Sequence, residues 1–296
     1  MEFKRVLVLM STWNGERYLS DQINSILMQK FDGTVDLLIR DDGSNDSTRD
    51  LLTSFESARV RVIYGCNMGA KASFFELLEL AKKHKADYYA LADQDDVWLP
   101  DKIFRAVNLL SSMTMPALYC SSLNVVDDRL NFLYKHYHAC QKSFTGLLLN
   151  NIVTGCTCVI NRPLLDILRS PICSKRVLMH DSWLALTAAA YGVILYDEYS
   201  GIKYRQHSCN QIGISRGFLG VIRRIQRFYY KPLIPSRISQ ANEFLNTYLD
   251  RLPTSLIELL RSFLNGSTSA RVRIIFLWKH RRNINMLSIF RFMLRP

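Results

Sequence analysis

Apolar residues along this chain follow two different spacings. Short runs rich in Val, Ile, Leu and Tyr predict β-strands at residues 5–10, 35–40, 60–64, 88–92 and 117–120. Segments between them carry apolar residues three and four positions apart, which predicts helices at 18–29, 47–56, 70–84 and 101–110. Strands that alternate with helices predict an α/β fold built on a mostly parallel, doubly wound sheet.

The charge is unevenly distributed. The chain has 296 residues and a formal net charge of +12. Residues 1–214 hold 23 basic and 23 acidic side chains, whereas residues 215–296 hold 15 basic and 3 acidic ones. With 48% hydrophobic residues the chain can bury a substantial core. We therefore expect a neutral body over 1–214 and a basic, mainly helical C-terminal region over 215–296.

Neither end of the sequence resembles a targeting or membrane-spanning segment. The N-terminus leads directly into a predicted strand without a cleavage-site pattern, and no run of eighteen uncharged apolar residues occurs. The seven cysteines are an odd number without a Cys-x-x-Cys pair, so we interpret them as reduced thiols. These features predict a cytoplasmic protein.

An acidic cluster, Asp93-Gln94-Asp95-Asp96, directly follows the predicted strand at 88–92. Crowded carboxylates repel one another unless a cation lies among them, and Mg²⁺ and Mn²⁺ prefer oxygen ligands. The cluster thus indicates a metal-bound, phosphate-bearing substrate. The alternative is a solvated turn and helix cap, because Pro100 and Asp101 could open a helix at Lys102.

Two further polar turns follow predicted strands, at residues 11–16 and 41–46. In open α/β sheets ligands bind at the carboxyl ends of the strands, so we expect both turns to lie beside the acidic cluster. Gly43 can adopt positive φ and Asp46 can cap the next helix, which is the structural interpretation of the second turn. This structural interpretation does not explain the doubled Asp41-Asp42, which suggests a contact with a nucleobase or ribose.

The second half of the chain adds weaker signals. Residues 153–160 predict a strand in which Gly155 permits close approach of backbone or ligand. Asp181 precedes a predicted helix and is either an N-cap or a general base. After a predicted strand at 192–196 and a turn, His207 follows Arg205 and is either structural or a nitrogen ligand.

The glycine patterns of two common phosphate-binding loops are missing. Neither Gly-x-Gly-x-x-Gly nor Gly-x-x-x-x-Gly-Lys-Ser/Thr occurs in the sequence. This excludes the usual dinucleotide-binding dehydrogenases and P-loop kinases, and it favours phosphates held through a metal. A nucleotidyltransferase is disfavoured for a related reason, because it should carry a Gly-rich loop with a basic residue after its first strand.

In order along about residues 3–210, the chain resembles the family 2 glycosyltransferases, which have the A-type nucleotide-sugar-binding (GT-A) fold. The residues that carry the resemblance are Ser11-Thr12-Trp13-Asn14-Gly15, Tyr18-Leu19, 25–29, Asp41-Asp42-Gly43-Ser44, 46–48, Asn67-Met68-Gly69, Asp93-Gln94-Asp95-Asp96, 98–102 and His180-Asp181. The Asp-Gln-Asp-Asp-Val-Trp form and residues 204–213 look most like bacterial rhamnosyltransferases of surface polysaccharide assembly.

The resemblance implies roles for individual residues. Asp181 matches the catalytic base, and Asp95 matches the metal ligand of an Asp-x-Asp element in which Asp93 lies nearer the ribose or sugar. His207 matches a position that reaches the metal or diphosphate. The donor-binding positions are Ser11, Trp13, Asn14, Asp41, Asp42, Asn67, Asp93, Gln94 and Arg205. His180 departs from the family pattern, which often has an acidic residue before the base, and whether it tunes Asp181 or only packs stays open.

The implied activity is an inverting, Mg²⁺- or Mn²⁺-dependent transfer of L-rhamnose from dTDP-L-rhamnose to a glycan acceptor, often lipid-linked. Residues 1–115 would form the nucleotide-sugar half of the catalytic domain and 116–214 its acceptor half. The alternatives are another donor such as a UDP-hexose, or a catalytically silent sugar-nucleotide-binding protein of the same fold.

Basic and aromatic residues interleave in the C-terminal region at 223–231 and 271–282. This pattern suits an interfacial helix on anionic lipid, which would place the enzyme peripherally on the cytoplasmic face of the inner membrane. The alternative is a set of ordinary helices that pack on the catalytic domain. Nucleic-acid binding is disfavoured because no recognisable nucleic-acid module accompanies the region.

Overall fold

The computed structural model describes residues 3–137, 142–171, 173–207, 236–266 and 270–280. Its strands are β1 (Lys4–Thr12), β2 (Gly33–Asp41), β3 (Val60–Tyr64), β4 (Tyr88–Ala92), β5 (Val97–Trp98), β6 (Ala117–Val126), β7 (Phe132–His136), β8 (Val159–Asn161) and β9 (Val193–Arg205).

The helices lie where the three- and four-residue spacing predicts them in the first half of the chain. They are α1 (Leu19–Leu27), α2 (Thr48–Phe55), α3 (Ala70–Ala81), α4 (Lys102–Leu110), α5 (Phe144–Leu149), α6 (Arg162–Ile167), α7 (His180–Tyr191), α8 (Arg237–Tyr248), α9 (Thr254–Asn265) and α10 (Ala270–Lys279).

A single sheet runs through the described residues in the order β3-β2-β1-β4-β8-β6-β9-β5, with β7 paired to β6. Strands β1 to β4 are mutually parallel, which confirms the predicted doubly wound half. The short strand β8 lies antiparallel between β4 and β6, and β9 runs parallel to β6. The predicted mostly parallel α/β fold is therefore confirmed.

Two local predictions in the second half were wrong. Residues 153–160 do not form one strand, because Gly155–Thr157 is a 3₁₀ turn and only Val159–Asn161 pairs in the sheet. The predicted strand at 192–196 does not end in a turn; β9 continues to Arg205 and pairs with β6 through register shifts near Ser121 and Ser122. Such irregular pairing leaves no regular two-residue alternation for sequence reasoning to follow.

The side chains of β1 alternate between two hydrophobic cores, one on each face of the sheet. Leu7 and Leu9 belong to one core, whereas Val6, Val8 and Met10 belong to the other. Consecutive residues of a strand point to opposite faces, so a parallel strand covered on both sides reads as one continuous apolar run.

The C-terminal region contributes to the first of these cores. Phe244 and Tyr248 of α8 are fully buried, and their rings lie 5.2 Å and 5.9 Å from the ring of Trp183 on α7. This part of the region packs on the body of the protein. The basic segment at 223–231 lies outside the described residues, and no helix among those described is long and apolar enough to span a membrane.

Gly192 connects α7 to β9 at a point where no side chain fits. A Cβ atom there would lie 1.8 Å from the backbone oxygen of Pro116, a contact that only backbone movement could relieve. We expect Gly192→Ala to lower the free energy of unfolding by several kcal/mol, because strand β9 must shift against β6. Gly201→Ala is the control with a milder clash, since a Cβ atom at residue 201 would lie 3.1 Å from its nearest neighbour, in the Lys102 side chain. Urea titration of both variants measures the difference; equal losses would contradict the prediction.

Candidate functional site

Three polar turns meet at one edge of the sheet, as predicted. Strand β4 is buried along its whole length and leaves the sheet at Asp93. Met10 of β1 pairs opposite Ala92 of β4, and Thr12 pairs opposite Asp41 of β2. The carboxyl ends of β1, β2 and β4 are therefore neighbours, and the turns that follow them form one site.

The carboxylates of distant segments share this site. Burial and the nearby negative charges of Asp95 and Asp181 raise the pKa of Asp93 to about 7. Asp181 thus lies close enough to the end of β4 for its charge to act on Asp93, although 88 positions separate them in the sequence. The electrostatic repulsion expected for a cation site is present.

Asp95 is paired with the predicted nitrogen ligand. His207 Nε2 and Asp95 Oδ2 are 2.8 Å apart, and their side chains keep exposed fractions of 12% and 16%. The carboxylate oxygen of Asp95 suits Mg²⁺ or Mn²⁺, and the imidazole nitrogen beside it stays a predicted ligand.

Arg205 lies beneath the acidic turn. Its Nε donates to the backbone oxygen of Asp95 at 2.9 Å, and its backbone N–H donates to Asp96 Oδ1 at 3.1 Å. The side chain is 3% exposed and pairs with Asp21. Arg205 was predicted to bind the donor. In the structure it supports the turn that carries Asp95, and its role toward a donor stays a prediction.

A second acidic group lies deeper, and sequence reasoning did not assign it a role. Ligand atoms of Asp93, Asp96 and Cys156 lie within 4.8 Å of one another. Burial raises the pKa of the Asp96 carboxyl and of the Cys156 thiol well above their usual ranges. A protonated thiol is a poor ligand for a hard cation. This deeper group therefore does not fit Mg²⁺ or Mn²⁺, and Asp93, Asp95 and His207 stay the predicted ligands.

A buried lysine lies under the same turn. Lys102 opens α4, is 1% exposed, and has its Nζ 3.6 Å from the ring centroid of Trp98. Burial lowers its pKa to about 8, and the charge of Asp96 acts in the opposite direction. The helix start at Lys102 was predicted, but nothing in the local pattern showed that this lysine is enclosed.

Asp181 lies in the first turn of α7, as predicted. The backbone N–H of Ser182 donates to Asp181 Oδ1 at 2.6 Å. Burial raises the pKa of Asp181 to about 6, although backbone donors at Ser182 and Gly155 oppose that shift. A carboxylate with this pKa can accept a proton near neutral pH.

His180 packs and makes no hydrogen bond to Asp181. Its ring stacks on Phe74 with centroids 4.0 Å apart, and neither ring nitrogen has a hydrogen-bond partner among the described residues. A Cβ atom at Gly155 would lie 2.7 Å from His180 Nε2, so the close approach predicted for Gly155 is an approach to this ring. Burial lowers the pKa of His180 to about 3, which keeps the imidazole neutral.

Gln94 connects the acidic turn to the turn after β1. Its Oε1 accepts from Thr12 Oγ1 and from the backbone N–H of Trp13, both at 2.7 Å, and its Nε2 donates to Trp13 O at 3.1 Å. The Trp13 side chain is 48% exposed at the mouth of the site. Gln94 therefore fixes the backbone that presents Trp13.

Asn14 and Ser11 hold neighbouring segments in place. Asn14 adopts a left-handed φ of 50°, and its Oδ1 accepts from the backbone N–H of Asn45 at 2.9 Å. Ser11 Oγ donates to Ser73 Oγ at 2.7 Å. Asn14 thus joins the turns after β1 and β2, and Ser11 joins β1 to α3.

The doubled aspartates organise the turn after β2. Asp42 accepts from the backbone N–H groups of Met68 and Gly69 at 3.0 and 2.8 Å, and Asp41 accepts from Arg49 Nε at 2.9 Å. Both side chains are buried. Gly43 has the predicted positive φ, at 78°.

Arg40 is a residue that sequence reasoning missed. It is 1% exposed and donates to Asp42, Glu76 and Ser73. Its position as a charged residue at the end of an apolar strand was the signal that could have found it. Asn67 lies in the adjacent turn and is exposed; its backbone nitrogen would be 2.9 Å from a Cβ atom at Gly43. Binding of a donor by Ser11, Asp41, Asp42 and Asn67 stays a prediction.

Comparison with known proteins identifies one family. The sequence profile of the family described as Glycosyl transferase family 2 matches residues 7–166. The dTDP-rhamnosyl transferase RfbG of Shigella flexneri is 28% identical over 82% of this chain and 88% of its own length. The UDP-Glc:alpha-D-GlcNAc-diphosphoundecaprenol beta-1,3-glucosyltransferase WfgD of Escherichia coli is 27% identical over 57% of this chain and 65% of its own length.

The solved structures of S. aureus TarS share the fold. The complex with UDP superposes with a TM-score of 0.57 at 16% identity and covers 90% of this chain and 73% of TarS 1-349. The complex with UDP-GlcNAc also gives a TM-score of 0.57, at 15% identity, over 98% of this chain and 89% of that one. The likeness establishes a GT-A architecture.

The neutral, buried His180 should make stability depend on pH. Its pKa of about 3 in the folded protein is below the ordinary value near 6.5, so the unfolded state binds a proton first as pH falls. Below pH 6.5 the folded state then loses about 1.4 kcal/mol per pH unit from this group. Raised carboxyl pKa values act in the opposite direction, so we compare wild type with His180→Leu at each pH. The free energy of unfolding of His180→Leu minus that of the wild type should increase as the pH falls from 6.5 to 4.5. A difference that does not change with pH would contradict the prediction.

Proposed function

The chain belongs to glycosyl transferase family 2, and we propose that it transfers a sugar from a nucleoside diphosphate donor to a glycan acceptor in surface polysaccharide synthesis. The proposal depends mainly on one observation. Ligand atoms of Asp93 and Cys156 lie within 4.8 Å of each other, a Cβ atom at the adjacent Gly155 would lie 3.7 Å from Asp181 Cβ, and His207 is hydrogen-bonded to Asp95. A donor diphosphate carries the oxygens that a cation held by these residues would bind.

The proposed donor is dTDP-L-rhamnose. RfbG, which aligns with most of this chain, is a dTDP-rhamnosyl transferase. A UDP-sugar is the alternative, because WfgD uses UDP-Glc and the TarS structures contain UDP or UDP-GlcNAc. The exposed Trp13 and the turns fixed by Asn14 and Asp42 form the surface on which the nucleoside would lie.

The proposed reaction is a single displacement with inversion. An acceptor hydroxyl attacks the anomeric carbon, its proton passes to the Asp181 carboxylate, and the bond to the donor diphosphate breaks, which releases the nucleoside diphosphate. Asp93, Asp95 and His207 would hold a divalent cation, which would supply positive charge to offset that of the departing diphosphate. From a β-L-rhamnosyl donor the product is an α-L-rhamnoside. The partial burial of Asp181 limits access of bulk water to the proton acceptor.

The acceptor and the location follow as further proposals. WfgD acts on a diphosphoundecaprenol-linked sugar, which supports a lipid-linked acceptor and peripheral contact with the cytoplasmic face of the inner membrane. Ile274, Ile275 and Trp278 of α10 are 52%, 55% and 68% exposed, with Arg271 and Lys279 on the same helix. An apolar surface beside cationic side chains suits an anionic bilayer. We keep 1–214 as the catalytic domain, with halves of about 1–115 and 116–214, and 215–296 as the basic, mainly helical C-terminal region.

Replacing the proposed base tests the mechanism. Asp181→Asn should lower kcat by about 10² to 10⁴, because the acceptor hydroxyl loses its general base. In the wild type, kcat/KM should rise with pH up to about 6 and then level off, since Asp181 is protonated below its pKa of about 6. Rates of nucleoside diphosphate release at saturating Mn²⁺ measure both effects.

The matched control for this experiment is Glu258→Gln, which neutralises an exposed carboxylate on α9. It should retain the wild-type rate and the same acidic limb. Full turnover by Asp181→Asn would remove Asp181 as the base.

Metal dependence and donor class can be tested together. Purified protein should release nucleoside diphosphate, and no pyrophosphate, when dTDP-, UDP- and GDP-sugars are screened with Mg²⁺ or Mn²⁺. Release should stop with EDTA. Asp95→Asn removes a proposed direct ligand and should weaken Mn²⁺ binding by more than the roughly 10- to 100-fold typical of an outer-shell partner, as measured by electron paramagnetic resonance, with Glu258→Gln as control. Unchanged turnover in EDTA would contradict the proposed metal dependence, and pyrophosphate release would indicate a nucleotidyltransferase.

A further inference from the structure

Tyr18 occupies a position beneath the proposed metal site that no catalytic role explains. It precedes α1 and is 8% exposed. The His207 ring lies against it, with centroids 4.9 Å apart and an angle of 39° between the planes. The Arg205 guanidinium lies 4.3 Å from the same ring centroid, within the range of a cation–π contact. The phenol ring is thus contacted by Arg205, the last residue of β9, and by His207, two residues beyond the strand.

Both of these side chains hold Asp95. His207 Nε2 lies 2.8 Å from the Asp95 carboxylate, and Arg205 Nε donates to the Asp95 backbone oxygen at 2.9 Å. The chain has left β9 by residue 207, so the strand ladder does not fix the imidazole. The face of Tyr18 limits the rotation of His207, and it adds a cation–π contact to a guanidinium that also donates to the Asp128 backbone oxygen at 2.7 Å and to Asp21 at 3.0 Å.

The aromatic ring of Tyr18 makes these contacts, and the hydroxyl does not. Tyr18 Oη is buried and has no hydrogen-bond partner in the described part of the chain. Removal of an unpartnered buried hydroxyl is neutral or stabilising, whereas removal of the ring takes away the contact with His207 and the cation–π contact with Arg205. Substitution by Phe and by an aliphatic residue should therefore differ sharply.

We propose that Tyr18 is a positioning residue, whose ring holds His207 and Arg205 so that Asp95 and His207 present their ligand atoms to one cation. The inference rests on the proposed metal site and adds to it a residue from the opposite end of the sequence. Outer-shell partners that orient metal ligands commonly change metal affinity by 10- to 100-fold.

The test measures Mn²⁺ affinity by electron paramagnetic resonance, without donor or turnover. Tyr18→Phe keeps the ring and should bind Mn²⁺ as the wild type does. Tyr18→Met fills the same space with a flexible chain but removes the aromatic face, and its Kd for Mn²⁺ should rise about tenfold or more. Tyr18→Leu serves as a second variant if the Met variant does not fold, with circular dichroism as the check.

A double-mutant cycle connects the effect to His207. His207→Ala should weaken Mn²⁺ binding, and adding Tyr18→Met to it should cost much less than Tyr18→Met costs alone, because the residue to be positioned is gone. Tyr64→Leu is the matched control: Arg49 lies 5.6 Å from the Tyr64 ring, a cation–π pair like that of Tyr18 but on strand β3. This control should leave the Kd unchanged.

The outcomes separate the two proposals. If His207→Ala binds Mn²⁺ normally, the proposed metal site fails and the role of Tyr18 fails with it. If His207→Ala weakens binding but Tyr18→Met does not, only the role of Tyr18 is overturned. If Tyr18→Phe loses as much Mn²⁺ affinity as Tyr18→Met, the role proposed for the Tyr18 ring would also be overturned, because the effect would then come from the hydroxyl.

Discussion

Repulsion among carboxylates at the end of a buried strand is the constraint around which this site is organised. Strand β4 is apolar and covered on both faces, so it delivers Asp93 into surroundings that disfavour negative charge. Asp95 and Asp181 add their own charges to that point. A folded protein tolerates this arrangement only if a cation or protons compensate it, and the raised pKa of Asp93 shows the protonated alternative.

The remaining polar residues divide into those that shape the site and those that face it. The first group forms hydrogen bonds with backbone groups of neighbouring turns; it consists of Asp42, Asn14, Gln94 and Arg205. Asp95, His207 and Trp13 retain exposed surface at the edge of the sheet. Fixed turns are what allow a few exposed side chains to keep a defined geometry, because loops without such bonds would carry their ligand atoms through a wide range of positions.

The first half of the fold was readable from sequence because its rules are local. Each parallel strand from β1 to β4 is a short apolar run, and each following helix repeats at three or four residues, so the shared edge for Asp41 and Asp93 followed from topology. The second half depends on pairings without a local pattern. Strand β8 has only three residues, which is why residues 153–160 were assigned wrongly. Strand β9 pairs with β6 through register shifts, which is why its continuation to Arg205 was missed.

The same distinction separates the site residues that sequence could suggest from those it could not. Asp95, Asp181 and His207 stood out because ordered motifs matched a family, and the structure brings Asp95 and His207 into contact. Tyr18 belonged to the same set of motifs but received no role, since the role proposed for it depends on contacts with Arg205 and His207. Such a role belongs to the tertiary arrangement: strand β9 must run antiparallel beside β5 before its last residues reach the start of α1. The pairing that sequence could not foresee is therefore the one that completes the proposed cation site.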